Sequence, residues 1–261
     1  MNLGLKDKVI VVTGGSEGIG KAIALQYLQE GCKVAVSARR QAVLDTFYQE
    51  CTNKGYGDNV FIYSANVTDS AAMSAFCDDV IKRFGKLDIW VNNAGKSLRK
   101  ALMEVSDEEW NECLTLNLSS VFSCCKLAAK HMKKSGGGVI VNGSAFSGYF
   151  PTAGIGAYCV AKSGLNCLTR LLAAELAHDN IRVVAYVPGL IETPLSTPRI
   201  AKDSRTYLEE QAVVNRLGTP EDIAPAVVFL SSDLASYITG TDIEISGGKF
   251  CVQNPMYAWK K

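Results

Sequence analysis

Short runs rich in valine and isoleucine alternate along the chain with longer stretches of helical periodicity, and this alternation constrains the fold more than any other feature. In such an arrangement each helix connects two parallel strands, as in βαβ units. We predict strands at 9–13, 34–37, 60–65, 89–91, 139–142, 183–187 and 243–245, and helices at 18–30, 41–54, 70–84, 107–133, 157–178 and 220–232. About seven strands with helices on both faces predict a doubly wound, Rossmann-like α/β fold with a parallel sheet.

No linker rich in proline, glycine or serine divides the 261 residues, so we expect a single domain spanning 1–261. The one long irregular stretch is 189–216, which contains prolines at 194 and 198. An irregular segment of this length in a compact domain is usually a lid or a binding loop. We therefore expect a substrate lid at 189–216.

The composition argues against several classes of protein. Lys and Arg number 27 against 26 Asp and Glu, a net charge of +1, so nucleic acid is not expected as a partner. The apolar run 9–12 is far shorter than a signal-peptide core or a membrane span, so no membrane association is expected. Nine cysteines without a C-x-x-C motif predict reduced, mostly buried thiols in a cytoplasmic protein. The only histidines are His131 and His178, so no metal site is expected.

A glycine-rich turn follows the first predicted strand and leads directly into the first predicted helix. Its sequence is Thr13-Gly14-Gly15-Ser16-Glu17-Gly18-Ile19-Gly20. Without Cβ atoms, Gly14, Gly18 and Gly20 let the backbone turn sharply and approach a pyrophosphate, which binds free N–H groups at the start of a helix. An ordinary tight turn can share this composition, but the position between strand and helix favours a dinucleotide-binding site.

The same turn also satisfies the G-x-S-x-G pattern of α/β-hydrolases, with Ser16 as the nucleophile. A hydrolase would need a histidine on a loop after a late strand. His131 and His178 instead fall within or at the end of predicted helices, where a solvated position is the simpler interpretation. A serine hydrolase that uses Ser16 therefore stays a remote alternative.

The end of the second predicted strand bears on the choice between NADP and NAD. Folds that prefer NAD place an acidic residue there for the ribose 2′-hydroxyl, whereas an arginine can pair with the 2′-phosphate of NADP. Ala38 occupies this position, and Arg39 and Arg40 follow it. Glu17 would repel a phosphate unless a cation neutralised it, and merely solvated arginines are the alternative interpretation. We expect NADP, with NAD as the other possibility.

Ser144, Tyr158 and Lys162 form the candidate catalytic group. Tyr158 and Lys162 are four residues apart on a predicted helix and so share one face, although such pairs are more often surface neighbours. An ammonium beside a phenol favours the phenolate, so we expect Lys162 to lower the pKa of Tyr158 and make it a general acid or base. Ser144 follows the strand at 139–142, at the edge where such sheets place their ligands.

With these motifs in this order, the chain resembles the short-chain dehydrogenases/reductases over about 8–248. Thr13-Gly14-x-x-x-Gly18-x-Gly20 is similar to the family's coenzyme turn, and Asn92-Asn93-Ala94-Gly95 is similar to its N-N-A-G segment. Asn117 matches the asparagine that completes a catalytic tetrad with the three residues above. Pro188-Gly189-x-x-x-Thr193 matches the segment that holds the nicotinamide carboxamide. The resemblance implies coenzyme contacts from Gly14, Ser16, Glu17, Gly18, Ile19, Gly20, Arg39, Arg40, Asn66, Val67, Asn93, Ala94, Gly95, Tyr158, Lys162, Pro188, Gly189, Ile191 and Thr193.

The resemblance implies an NAD(P)-dependent oxidoreductase that transfers a hydride between nicotinamide C4 and a carbonyl carbon. Tyr158 would protonate the developing alkoxide, to which Ser144 would donate a hydrogen bond. Lys162 would also bind the nicotinamide ribose, and Asn117 would hold a proton-relay water. The substrate would be a hydroxysteroid or other hydrophobic ketone, a 3-oxoacyl group, or a sugar or polyol, and the assembly a homotetramer or dimer. A coenzyme-binding sensor or scaffold without turnover is the alternative.

Two departures from the family pattern concern the site. Asn66-Val67 stands where the family often has an Asp-Val pair that contacts adenine. The asparagine can still form a hydrogen bond to the adenine, but it lacks the negative charge of the aspartate. Ser144 and Tyr158 are 14 positions apart, one more than is common in the family, so we expect the loop 147–156 to bulge locally.

Residues beside the tetrad and in the lid are expected to face the substrate, and about half of them to touch it. These are Ser97, Leu98, Ala145, Phe146, Phe150, Leu190, Leu195 and Tyr207. The C-terminal tail has aromatic residues at 250, 257 and 259, and we expect it to pack on a neighbouring subunit.

Overall fold

The computed structural model describes residues 2–194, 196, 202–249 and 251–259, which include a sheet of seven strands. The strands are β1 Val9–Thr13, β2 Lys33–Ala38, β3 Val60–Ser64, β4 Ile89–Asn92, β5 Gly138–Gly143, β6 Ile181–Pro188 and β7 Asp242–Ile245. Their order is β3-β2-β1-β4-β5-β6-β7, and every neighbouring pair is parallel. The predicted doubly wound fold is confirmed, and every predicted strand begins and ends within two residues of an observed one.

Helices cover both faces of the sheet. They are α1 Gly18–Gln29, α2 Gln41–Asn53, α3 Ser70–Phe84, α4 Asp107–Leu114, α5 Ser120–Met132, α6 Gly156–Leu176, α7 Lys202–Glu209 and α8 Pro220–Ser231. One apolar core lies between the sheet and helices α1, α2 and α8. A second core lies between the sheet and helices α3, α5 and α6.

Strand β1 lies in the middle of the sheet and is buried on both faces. Ile10 and Val12 pack into the first core, whereas Val9 and Val11 pack into the second. A strand that is covered on both sides needs no alternation of apolar and polar residues. This is why its sequence is a continuous aliphatic run.

The predicted helix at 107–133 is interrupted in the structure by a π-helical turn, Thr115–Ser119, between α4 and α5. The side-chain amide of Asn117 donates to the carbonyl oxygen of Cys113, 2.9 Å away. In an α-helix this carbonyl would accept the backbone N–H of Asn117 itself. Because the side chain takes its place, the backbone widens into a π-helical turn.

The lid differs from its predicted form, and the C-terminal tail contacts the lid. The predicted irregular stretch 189–216 contains helix α7, so it is not wholly irregular. The indole N–H of Trp259 donates to the carbonyl oxygen of Val213 at 2.9 Å, which places the tail against the lid of its own chain. Packing on a neighbouring subunit stays a prediction, and Leu195 and Phe250 lie outside the described residues.

None of the nine cysteines forms a disulfide, and seven of them are buried, as the sequence predicted. Cys167 and Cys251 are the two exposed thiols. Among the described residues, no helix is both long and apolar enough to cross a membrane.

Candidate active site

The strand order reverses between β1 and β4, and ligands of such sheets bind beside this point, at the carboxyl ends of the strands. A cleft of about 340 Å³ lies there. It is lined by Gly14, Ser16, Glu17, Gly18, Ile19, Arg39, Arg40, Asn66, Val67, Asn93, Ala94, Gly95 and Thr193, all predicted to contact a coenzyme, and by Ser37, Ala38, Ala65, Lys96 and Leu116. The structure therefore brings together most of the predicted coenzyme residues.

The glycine turn has the geometry that a pyrophosphate requires. Gly14 and Gly18 adopt φ angles of 63° and 54°, in the left-handed region that favours glycine. A Cβ atom on Gly20 would lie 2.3 Å from the carbonyl oxygen of Gly14. Only glycine at position 20 therefore allows the first turn of α1 to pack this closely on the glycine turn. Glu17, which precedes α1, makes no capping hydrogen bond. The first N–H groups of α1 therefore remain available to an anion, and the turn fits a dinucleotide phosphate.

The two predicted arginines have different surroundings. Arg40 forms an ion pair with Glu17, so the acidic group that would repel a phosphate already has a cation beside it. The guanidinium of Arg39 makes no hydrogen bond or ion pair with any described residue, and Arg39 lines the cleft. Arg39 is therefore the arginine that can turn to a ligand without breaking an existing contact.

Asn93 fixes the turn relative to the neighbouring strands. Its Nδ2 atom donates to the carbonyl oxygens of Thr13 and Gly14, at 3.1 and 3.0 Å. Its Oδ1 atom accepts a hydrogen bond from the hydroxyl of Tyr186, at 2.9 Å. Because Thr13 ends β1 and Tyr186 lies on β6, one side chain connects the glycine turn to both strands.

The segment after β6 reaches across the cleft towards the glycine turn. The N–H of Gly189 donates to the carbonyl oxygen of Ile245 at 3.0 Å, which holds the end of β6 against β7. Further along, a Cβ atom on Gly18 would lie 3.5 Å from Thr193, so these two walls of the cleft face each other. The remaining predicted coenzyme residues do not line this cleft; they are Gly20, Pro188, Gly189, Ile191, Tyr158 and Lys162.

Ser144 follows β5 at the same edge of the sheet. Its N–H donates to the carbonyl oxygen of Tyr186 at 2.9 Å. Its hydroxyl donates to Oδ1 of Asn166 on α6, and both residues are 4% exposed. The position of the serine side chain is therefore set by a residue that the sequence analysis did not single out.

Lys162 connects the catalytic group to the cleft. Its ammonium donates to the carbonyl oxygen of Gly143 at 2.7 Å, and burial lowers its pKa to about 8. A Cβ atom on Gly95, which lines the cleft, would lie 3.7 Å from Nζ. The ammonium therefore lies close to a residue of the cleft, although Lys162 itself does not line the cleft.

The expected lowering of the Tyr158 pKa by Lys162 is wrong for this structure. Burial, and to a lesser degree the thiols of Cys113 and Cys159, raise the pKa of the phenol above its usual value. The ammonium of Lys162 lies 5.5 Å from the centroid of the tyrosine ring and bonds the backbone instead of the phenol. Near neutral pH the phenol therefore keeps its proton, which suits a general acid.

Asn117 is fully buried and held at both ends of its amide. Its Oδ1 atom accepts from the N–H of Lys96 at 3.1 Å. Its Nδ2 atom donates to the carbonyl oxygens of Lys96 and Cys113, at 3.0 and 2.9 Å. Only one lone pair of Oδ1 is left for the proton-relay water that the resemblance implied. The side chain chiefly anchors the strand-to-helix segment that lines the cleft.

The hydrolase alternative finds no support in the placement of the histidines. His131 lies on α5, with its Nε2 atom 3.9 Å from Asp78, and His178 lies 3.2 Å from Asp179. No histidine is among the described residues that line the cleft with Ser16. Ser16 therefore lacks the base that a serine nucleophile needs.

A second cavity, of about 780 Å³, lies between the lid, the loop after β5 and the tail. Two of the residues that we expected to face the substrate, Phe150 and Tyr207, line it, together with Lys249. The ammonium of Lys249 lies 5.3 Å from the centroid of Phe146, another such residue. The other expected residues do not line this cavity; they are Ser97, Leu98, Ala145 and Leu190.

Two residues of the site were missed from the sequence. Asn166 is four positions after Lys162, so the same helical spacing that paired Tyr158 with Lys162 could have indicated it. Tyr186 is the one aromatic residue of the buried run 183–187 in β6, and a phenol in such a run was the available signal.

Comparisons with known proteins agree with this geometry. Residues 14–249 match the family described as enoyl-(acyl carrier protein) reductase. The chain is 36% identical over 244 residues to the 3-oxoacyl-[acyl-carrier-protein] reductase FabG of Thermotoga maritima, covering 94% of this chain and 98% of that protein. It is 37% identical over 244 residues to a 3alpha-hydroxysteroid dehydrogenase of Mediterraneibacter gnavus, covering 93% and 97%. The crystal structure of a short-chain type dehydrogenase/reductase from Mycobacterium marinum matches with a TM-score of 0.89 and 33% identity, over 95% of this chain and 97% of the other.

Proposed function

Because the chain belongs to the short-chain dehydrogenase/reductase family, whose members are NAD(P)-dependent oxidoreductases, we propose that it interconverts a ketone and a secondary alcohol. The observation that supports the proposal is the ammonium of Lys162, which donates to Gly143 beside Ser144, lies 5.5 Å from the centroid of the Tyr158 ring and is close to the cleft residue Gly95. The nicotinamide coenzyme supplies the hydride. The protein supplies the proton and the groups that stabilise the reacting oxygen.

Tyr158 acts as the general acid in the direction of ketone reduction. Burial raises the pKa of its phenol, so the proton that the developing alkoxide requires is present at neutral pH. Ser144 donates a hydrogen bond to the same oxygen and stabilises charge that grows in the transition state. The ammonium of Lys162, held by the carbonyl of Gly143, adds positive charge near this position and would bind the nicotinamide ribose of the coenzyme.

NADP(H) is the coenzyme that we propose, with NAD(H) as the alternative. Arg39 lines the cleft and makes no hydrogen bond or ion pair with any residue that the structure describes, and Arg40 offsets the charge of Glu17. A guanidinium at this position suits the 2′-phosphate of NADP. Asn66 and Val67 line the same cleft and would contact the adenine.

The substrate that we propose is a hydrophobic ketone or its alcohol, such as a hydroxysteroid or a 3-oxoacyl compound, with a sugar or polyol as the less supported option. Relatives of this chain carry the names of a 3-oxoacyl-[acyl-carrier-protein] reductase and a hydroxysteroid dehydrogenase. The second cavity has aromatic walls at Phe150 and Tyr207 that suit an apolar part of the substrate, and Glu210 and Lys249 also line it. We further propose a cytoplasmic enzyme that forms a homotetramer or dimer.

The test is to follow oxidation of NADPH and of NADH against a panel of steroid ketones, 3-oxoacyl thioesters and keto-sugars. We expect turnover with NADPH on one class of substrate. Tyr158→Phe should keep its affinity for the coenzyme and lose at least about 100-fold in kcat, the lower range for general acid–base catalysis.

A phenylalanine variant with nearly the wild-type rate would refute the role of Tyr158. A wild-type protein that binds NADPH but reduces no member of the panel would favour the non-catalytic sensor or scaffold.

A further inference from the structure

Asn166 connects the candidate catalytic serine to the helix that carries the candidate catalytic tyrosine. It lies one turn beyond Lys162 and two turns beyond Tyr158 on α6, so the three side chains share one face of the helix. Ser144 donates its hydroxyl proton to Oδ1 of Asn166. Both residues are 4% exposed, so water competes little for this hydrogen bond.

The observed hydrogen bond conflicts with the role of Ser144 in the proposed reaction. A serine hydroxyl has a single proton, and in the structure that proton goes to Asn166. Stabilising the oxygen of a ketone requires the same proton to point at the substrate. A residue beside Ser144 that could only accept hydrogen bonds would therefore compete with the substrate for the hydroxyl proton of Ser144.

An amide neighbour removes this conflict because it has an acceptor at one end and a donor at the other. A half-turn of the amide group exchanges the two ends. The Nδ2 atom of Asn166 makes no hydrogen bond with any described residue, so the half-turn breaks no further contact. After it, Nδ2 donates to Oγ of Ser144 and the hydroxyl proton is free for the substrate. Asn117 cannot turn in this way, since Lys96 holds both ends of its amide.

We infer that Asn166 is a positioning residue for the reductase reaction. In the free enzyme its Oδ1 accepts a hydrogen bond from the Ser144 hydroxyl. When that hydroxyl donates to the substrate oxygen instead, Nδ2 of Asn166 donates to Oγ of Ser144. The inference rests on the proposed function and deepens it, because Asn166 acts only through Ser144 and touches neither the substrate nor the coenzyme.

The first test is a double-mutant cycle of Asn166→Leu with Ser144→Ala in the full chain, measured with NADPH and a ketone that the wild type reduces. Leucine keeps the branching at Cγ and replaces both polar ends of the side chain by methyl groups. We expect Asn166→Leu to lower kcat by about tenfold, the effect of roughly one net hydrogen bond, without changing the Kd for NADPH. In the Ser144→Ala background the same substitution should lower kcat by less than about twofold further.

The second test is the pH profile of Asn166→Asp, which a purely structural role would not change. An aspartate carboxylate can only accept, so it should hold the Ser144 proton away from the substrate and lower kcat by about 100-fold at high pH. Protonation restores a donor at the carboxyl group. The rate should therefore rise as the pH falls through the pKa of this carboxyl, a limb that wild type and Asn166→Leu lack.

Ser163→Ala is the matched control, because Ser163 is also on α6 and its hydroxyl donates to the carbonyl of Gly148 at 2.7 Å. Gly148 also lies against Asn166, since a Cβ atom on it would be 3.0 Å from Nδ2. If Asn166 only supported this turn, both variants would lose activity alike. We expect Ser163→Ala to keep nearly the full rate.

Equal losses in Ser163→Ala and Asn166→Leu, or losses that multiply with that of Ser144→Ala, would overturn the inference. If Asn166→Leu does not fold, the pH profile of Asn166→Asp decides, and the absence of the acidic limb overturns the inference. A wild-type protein that reduces no ketone removes the proposed function and the inference together. A wild type that turns over with an additive cycle removes the inference alone.

Discussion

The coenzyme preference can be tested by removing one guanidinium. Arg39 lines the cleft and makes no hydrogen bond or ion pair with a described residue, whereas Arg40 is paired with Glu17. If Arg39 receives the 2′-phosphate, Arg39→Ala should weaken NADPH and leave NADH unchanged, because NADH has a hydroxyl there. Arg40→Ala is the matched control, since it removes an equal charge one residue away.

The size of the effect follows from the contact and its exposure. A hydrogen bond to a charged group contributes about 1.5–3 kcal/mol, which corresponds to roughly 10- to 150-fold in binding. Arg39 is exposed, and solvent and salt weaken such pairs. We therefore expect Arg39→Ala to lower kcat/KM for NADPH by about 10- to 30-fold, and Arg40→Ala by only a few-fold, through the unscreened charge of Glu17.

The assay is the initial rate of ketone reduction with each coenzyme at 50 mM and 300 mM salt, each at several coenzyme concentrations. The loss in Arg39→Ala should shrink at the higher salt concentration, since screening already weakens the contact in the wild type. An equal loss for NADPH and NADH would contradict the assignment, as would a larger NADPH loss in Arg40→Ala than in Arg39→Ala.

Three further predictions follow from the site and its surroundings. Gly20→Ala places a Cβ atom 2.4 Å from Nδ2 of Asn93, so it should abolish binding of the coenzyme in a fluorescence titration and lower the melting temperature. Burial lowers the pKa of Lys162 from 10.5 to about 8, so burying the charged ammonium costs about 3 kcal/mol of folding free energy. The inactive variant Lys162→Met should therefore unfold at a higher temperature than the wild type at pH 7. The difference in melting temperature between the variant and the wild type should shrink from pH 8 to 10.5. In this range the unfolded wild type binds more protons than the folded wild type, so the stability of the wild type rises with pH. Deleting 252–261 should raise KM for bulky ketones without changing the Kd for NADPH, because the tail lines the second cavity. Light scattering of the same variant tests whether the tail contacts a neighbouring subunit.

The inner strands of the sheet could be predicted from the sequence because they are buried on both faces. Continuous aliphatic runs such as the one in β1 occur in few other settings, and each ends at a polar or glycine-containing turn. The coenzyme cleft could be predicted for a related reason. Its glycine turn is local in sequence, so the residues that shape it are neighbours in the chain.

Features that depend on contacts between distant residues could not be predicted. The π-helical turn arises because Asn117 bonds Lys96, 21 residues earlier in the chain, as well as Cys113. The raised pKa of Tyr158 depends on how deeply the phenol is buried and on the ammonium of Lys162 bonding Gly143 instead. Helical spacing showed that the two side chains share a face, but it could not show which partner the ammonium would select.

Asparagine side chains hold the loops at the carboxyl edge of the sheet. The number of amide atoms that form hydrogen bonds distinguishes those that hold the structure from the one that can change its hydrogen bond during the reaction. Asn93 and Asn117 each use both ends of the amide, so turning either would break several hydrogen bonds worth about 1 kcal/mol each. Such residues fix the cleft in one shape. Within the described part of the chain, Asn166 bonds only through its oxygen, to Ser144, and can turn without that cost. Of these three amides, only Asn166 can follow the changing needs of a substrate oxygen as it gains charge and then a proton.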